Sequence, residues 1–466
     1  QKICAYFFGK SGKGLMNELK KKYGLLTAIA MVVGIVIGSG VFFKAETIHK
    51  TTGGDMKLGI MAWIIGGIIM LACAITFSIM AGKYEKVNGI VDYAEATVGS
   101  KYAYYIGWFM TTVFYPTLTS ALAWLSARYT MVLFGSEKIT GGTCMTLACF
   151  YLIASYAVNA LSPVIAGKIQ VSATVIKLIP LLLMAIVGTI AGTSNGLIIQ
   201  NFSSAVEPIA NSGQALFTAV VASAFAYEGW IVATSINAEL KNAKRNLPIA
   251  LTVGSLIIIS VYVFYYIGLA GAVETKTLME LGPVGVQMAF NGIFGKTIGA
   301  ALMAFIVVSC LGTLNGLMLG CTRGMYSIAV RRRGPAPHIF AQVDKVTNMP
   351  TSSSVVGLLI CSMWLFYFYG ANLLTTPIFG AFCFDSSELP IVTLYALYIP
   401  IFVKFIFAAK GENPFRHIVM PLIACLSSAF MVFAACYAHG KAVIYYLIVF
   451  AVIMFIGAMF SKEKNI

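Results

Sequence analysis

The residues able to do chemistry in this chain fall at a few places inside otherwise apolar runs. Gly38-Ser39-Gly40, within Gly34-Ile-Val-Ile-Gly-Ser-Gly-Val-Phe42, interrupts an apolar stretch from about Leu25 to Ile48. Ala224-Phe-Ala-Tyr-Glu-Gly-Trp230 sets a carboxylate, Glu228, beside a glycine in mid-run. Lys177, in Ser172-Ala-Thr-Val-Ile-Lys-Leu-Ile-Pro180, lies far from either end of its run, and Asp385 and Glu388 open another. This set suits the binding of a small zwitterion. Backbone N–H groups at Gly38, Ser39 and Gly40 lead into a half-helix whose positive end accepts a carboxylate, and glycine lets the backbone come close. Carbonyls of Ile37, Phe225 and Ala226, at the C-terminal ends of half-helices, suit an ammonium. The expected substrate site is therefore Ile37, Gly38, Ser39, Gly40, Phe225, Ala226, Tyr227 and Glu228.

Bond-making chemistry has no comparable set. His49, His338, His417 and His439 lie near run ends or in loops, no Ser-His or carboxylate dyad shares a run, and no metal-ligand cluster occurs, so neither cofactor nor metal is expected. The 10 Cys are scattered with no C-x-x-C pair, which reads as small buried hydrophobes. No filter-like repeat or ring of charges marks a channel.

The elements that must position these residues are membrane helices. Hydrophobic residues make up 59% of the 466 and charged ones 11%, with a mean hydropathy of +0.86, far from a soluble domain. Runs near the ~20 residues a spanning helix needs lie at 25–49, 58–82, 102–134, 144–161, 165–193, 213–236, 247–272, 297–330, 353–370, 384–409, 415–438 and 441–460, which predicts an all-α polytopic membrane protein with twelve transmembrane helices. The formal charge of +15 collects in short connections: Lys83 and Lys86, Lys241-Lys244-Arg245, Arg331-Arg332-Arg333, Lys410 and Arg416. That is the positive-inside pattern rather than a nucleic-acid surface. Lys50, Lys57, Lys138 and Lys276 are exceptions, but Leu178 to Leu240 holds no Lys or Arg, as a translocated loop should. Both termini are thus expected in the cytoplasm and the protein in the plasma membrane.

Spans 1 and 6, the two interrupted ones, occupy corresponding positions if ten helices form two repeats of five. Five is odd, so the second copy is inverted, and paired broken helices so placed point to a transport site at the midplane. The expected organisation is a tail at 1–22, repeats at 23–193 and 194–409, and helices 11 and 12 with a C-terminal tail at 410–466. Several residues keep two readings. Gly34-x-x-x-Gly38 is also a small-xxx-small packing motif, and only the second break tips it toward a site. Glu228 either satisfies free N–H groups at its break, pairs with a cationic substrate, or carries a proton. Asp385 and Glu388 lie either at the interface or along the pathway. Trp230 reads as packing, and Arg128 and Arg323 need partners that the sequence does not identify.

These motifs resemble the amino acid-polyamine-organocation (APC) superfamily, in particular the L-type amino acid transporter group and bacterial alanine-serine-cysteine exchangers. The resemblance runs from Tyr23 to about Phe407. It includes both broken spans, Glu239-Leu-Lys-Asn-Ala-Lys-Arg-Asn-Leu-Pro248, Ser309-Cys-Leu-Gly-Thr-Leu-Asn-Gly316, Arg323-Gly-Met-Tyr326 and Arg333-Gly-Pro-Ala-Pro337. It implies the leucine-transporter fold, a 5+5 inverted repeat with helices 1 and 6 broken, and Phe225 as an outer gate. It also implies that Lys177 stands where related carriers bind sodium, bridging to backbone oxygens of span 1 and to Ser309 or Thr313; the alternative role for this buried lysine is to carry a coupling proton. The expected activity is sodium-independent exchange of small or medium neutral L-amino acids by alternating access. The alternative is proton-coupled uptake of cationic amino acids or polyamines; a channel or an intramembrane enzyme is the non-carrier alternative. Animal relatives carry a cysteine linked to a heavy-chain glycoprotein; Cys144 lies near that loop but lacks the surrounding pattern, so no such partner is expected.

Overall fold

The computed structural model describes residues 24–84, 89–136, 138–203, 206–207, 209, 211–233, 240–344, 347, 349–408 and 413–463. The tail at 1–22, together with Lys86, Glu239, Lys410 and Lys464, lies outside them. Among the described residues the chain is helical, without strands. It begins with α1 (Leu25–Val36) and α2 (Gly40–Thr51), followed by α3 (Met56–Tyr84) and the short α4 (Ile90–Thr97). A run through α5 (Ser100–Phe109), a π-helical turn and α6 (Tyr115–Leu133) leads to α7 (Gly142–Leu161), α8 (Pro163–Ile176), α9 (Leu178–Leu183), α10 (Thr189–Ser194) and α11 (Leu197–Ser203). The second half holds α12 (Ser212–Tyr227), α13 (Trp230–Ala233), α14 (Ala243–Ala272), α15 (Thr275–Leu281) and α16 (Pro283–Ala329). It closes with α17 (Pro337–Phe340), α18 (Thr351–Phe368), α19 (Leu389–Phe407), α20 (Met420–His439) and α21 (Lys441–Met459).

Among the described residues eight helices are long and apolar enough to cross a bilayer, or up to ten spans if each of two bent pairs is one span. One pair is α1 with α2, bent by 54°. The helical stretch 100–133, rich in Thr, Ser and Tyr, is not among the eight, and α12, although apolar, has 16 residues. The chain is thus a polytopic helical membrane protein.

The packing follows from small residues. In lipid, helices associate through close contact rather than through hydrophobic burial, so the contacts fall where side chains are smallest. A β-carbon on Gly66 of α3 would collide with Ser223 Oγ of α12, and one on Gly312 of α16 with Ala173 of α8. Around such contacts α3 packs on α12, α14 and α20, and α16 on α6, α7, α8 and α18. The α1/α2 pair joins the two groups: α1 lies on α14 and α13 and touches α8, and α2 lies on α12 and touches α16.

Candidate functional site

The first break is local in origin. Ile37 leaves the helix with φ −63° and ψ 107°, its N–H closing on Val33 O, and Ser39 precedes α2 without a side-chain hydrogen bond to its amides. Amides at the start of α2 have no acceptor within their own helix, and neither do the last carbonyls of α1 have a donor. The second break has the same form. Glu228 turns extended with φ −66° and ψ 152° after Tyr227, and Gly229 takes φ +109°, a left-handed value that favours glycine.

The breaks face one another. A β-carbon on Gly40 would stand 2.8 Å from Ala226 Cα and 3.1 Å from Phe225 Cδ1, while one on Gly229 would stand 3.5 Å from Ile35 O. Tyr262 of α14 ties the two together, its hydroxyl lying 3.0 Å from Ala226 O and 3.4 Å from Val36 O. Its one O–H proton serves these C-terminal carbonyls in turn, Ala226 O being the nearer. A carbonyl has two lone pairs, so Ala226 O can still accept from an ammonium.

The structure brings together Ile37, Gly38, Ser39, Gly40, Phe225 and Ala226 and sets Glu228 on their edge. The Tyr227 side chain turns the other way: it is fully buried and donates to Trp63 O of α3 at 2.8 Å. Glu228 Oε2 is buried without a hydrogen-bond partner. Lys177, at the junction of α8 and α9 and 5% exposed, donates to Gly34 O at 2.7 Å. Its ammonium thus meets a backbone oxygen of α1 one turn before the break. Thr313 stands beside Gly38, its Oγ1 3.5 Å from where a β-carbon there would be, and bonds Ser309 O at 3.0 Å. The hydrogen bond from Lys177 runs to Gly34 and not to Ser309 or Thr313.

Beyond the break, α2 is enclosed: Gly40, Val41, Phe42, Lys44, Ala45, Glu46, Ile48 and His49 are all buried. Phe43 meets Phe225 edge-on at 6.2 Å and Trp124 at 6.3 Å. Lys44 Nζ lies 2.5 Å from Glu388 Oε1, and Arg128 Nη1 lies 2.6 Å from Glu46 Oε1. His49 stacks on Tyr266 with centroids 3.9 Å apart. Asp385 holds the turn that leads into α19, accepting from the Ser387 and Glu388 amides at 2.7 and 2.9 Å. Of the acids expected at the interface or along the pathway, Asp385 is therefore tied into a turn and Glu388 is half of a buried ion pair. Arg128 has its partner in Glu46, and Arg323 Nη2 lies 3.5 Å from Met349 Sδ. Sequence reasoning passed over Lys44, Glu46 and His49, although three ionisable residues within two turns of an apolar run were signal enough. It also passed over Tyr262, which no composition cue separates from its neighbours.

Two half-helix pairs broken at facing positions, with helix-end amides and carbonyls meeting in an apolar helical body, fit a multi-pass membrane transporter for a small polar solute. The chain belongs to the amino acid permease family, whose sequence pattern matches residues 23–459. Its function class is transport of amino acids and not enzymatic catalysis. It is 28% identical over 429 residues to the serine/threonine exchanger SteT of Bacillus subtilis, covering 89% of this chain and 91% of that one. It is 24% identical to the human b(0,+)-type amino acid transporter 1, over 75% of this chain and 74% of the relative. To the human cystine/glutamate transporter it is 22% identical, over 73% of this chain and 66% of the relative.

Proposed function

We propose that this chain is a sodium-independent exchanger of small or medium neutral L-amino acids, working by alternating access in the plasma membrane. The observation that carries this reading is the meeting of the α2 amides with the α1 and α12 carbonyls, a pair of poles matched to an amino acid's carboxylate and ammonium. Twelve spans in a 5+5 inverted repeat, with both termini cytoplasmic, place these poles at the midplane. Phe225 acts as the gate on the outer side. The Lys177 ammonium on Gly34 O supports sodium independence, because a fixed cation occupies that part of span 1. Likeness to a serine/threonine exchanger supports exchange and a small substrate. A fully buried Cys144 supports a subunit that works without a heavy-chain glycoprotein.

Neutral specificity is supported by the pairing of acids. Glu388 and Glu46 are matched by Lys44 and Arg128, which leaves Glu228 as the acid at the breaks for a proton or a cationic substrate. The second reading, proton-coupled uptake of cationic amino acids, rests on that residue and its buried, unpartnered Oε2.

Radiolabelled uptake into proteoliposomes separates them. Exchange requires preloaded amino acid and is indifferent to sodium. Uptake into empty vesicles driven by a pH gradient, abolished in Glu228→Gln, would sink exchange in favour of symport.

A further inference from the structure

Lys44 lies one helical turn beyond Gly40, and its ammonium has an unusual setting. Nζ is 2.5 Å from Glu388 Oε1, 4.8 Å from the Phe43 ring centroid and 5.2 Å from that of Phe225. Lys44 is 1% exposed and Glu388 5%. The other carboxylate oxygen is 3.3 Å from His439 Nε2, and the Glu388 backbone amide is held by Asp385. A carboxylate flanked by two aromatic faces is the chemistry that recognises a primary ammonium. A buried ion pair is no better a stabiliser than apolar side chains of the same volume, so packing alone does not account for it. The Phe225 ring also forms a wall of the break, since a β-carbon on Gly40 would stand 3.1 Å from its Cδ1. The ammonium site and the substrate site therefore share one ring.

We propose that Glu388, Phe43 and Phe225 form a subsite for an alkylammonium group, and that Lys44 is its tethered occupant, keeping out substrates whose side chains are cationic. Lys44 is thereby a specificity-determining residue. This deepens the neutral amino acid reading above and rests on it. Removing the tether turns a filled site into a vacant one adjoining the substrate.

The test is Lys44→Ala, which removes three methylenes and a nitrogen, the skeleton of n-propylammonium. The melting temperature of the purified variant is expected to rise with n-propylammonium and not with tetramethylammonium, and that of the parent with neither. In proteoliposomes, ornithine is expected to compete for neutral amino acid flux roughly tenfold more strongly in the variant than in the parent. Adding Glu388→Gln is expected to abolish both effects. Lys44→Ser leaves nearly the same cavity and serves if Lys44→Ala is not recovered folded; recovery of either only when the amine is present supports the subsite. No amine-dependent shift and no ornithine competition in a folded variant overturns the proposal, and so does failure to recover either variant even with amine. If the parent moves no neutral amino acid, the functional reading falls, while the melting shift still reports on the subsite.

Discussion

Replacing Gly40 by alanine tests whether the two breaks are held by contact. The added carbon would stand 2.8 Å from Ala226 Cα, 3.1 Å from Phe225 Cδ1 and 3.2 Å from Phe225 O. Carbon atoms settle about 3.5–4.0 Å apart, so α2 and α12 must separate by roughly 0.7 Å or more. The nearest obstacle is backbone, which cannot rotate aside. Overpacking of this kind costs about 1–3 kcal/mol, equivalent to roughly 5- to 150-fold in an equilibrium. Gly38→Ala is the matched control, because its nearest neighbour is Thr313 Oγ1 at an ordinary 3.5 Å and its φ lies outside the left-handed region. Melting in detergent and exchange in proteoliposomes read the two effects. Gly40→Ala is expected to melt well below the parent and to lose most exchange. Gly38→Ala is expected to melt with the parent and to show a raised KM, since its methyl stands where a carboxylate approaches the amides. If Gly40→Ala melts with the parent, or if Gly38→Ala is the less stable of the two, the contact argument is refuted.

Other changes have comparably definite outcomes. Arg128→Ala strands the buried Glu46 carboxylate and is expected to destabilise the fold by about 3–5 kcal/mol, seen as lowered melting that Glu46→Gln in the same chain partly restores. Gly229→Ala forces a side chain onto φ +109°, a strain of about 1–3 kcal/mol; unchanged melting would contradict it. Lys177→Met removes a charged hydrogen bond to Gly34 O, worth about 1.5–3 kcal/mol, and exchange is expected to fall by roughly 10- to 100-fold. Restoration of that exchange by external sodium would contradict the fixed-cation role of Lys177.

Both interruptions were readable in one dimension because each violates its surroundings: Gly-Ser-Gly and Glu-Gly do not belong in a lipid-facing helix. Lys177 was readable for the same reason, but its backbone partner in span 1 was implied by the family resemblance rather than by the charge itself. Tyr227 was assigned to the site because it stands between Ala226 and Glu228. Each step along a helix turns the side chain by about 100°, however, and Tyr227 points into α3. Tyr262, 36 residues from Ala226, supplies the hydroxyl that bridges the breaks instead.

The sequence by itself determined that this chain is an apolar bundle of helices broken at two places, because runs, breaks and misplaced charges are local properties that bilayer physics reads directly. It also determined the amide and carbonyl poles, since those follow from where a helix stops. Only the tertiary structure decided which charges are spent on one another. Lys44 and Glu388 are 344 positions apart and Glu46 and Arg128 are 82, and no periodicity links such pairs. An ionisable residue in lipid must find a partner, so sequence can announce the demand, but the partner is chosen by the packing of α2 against α19 and α6.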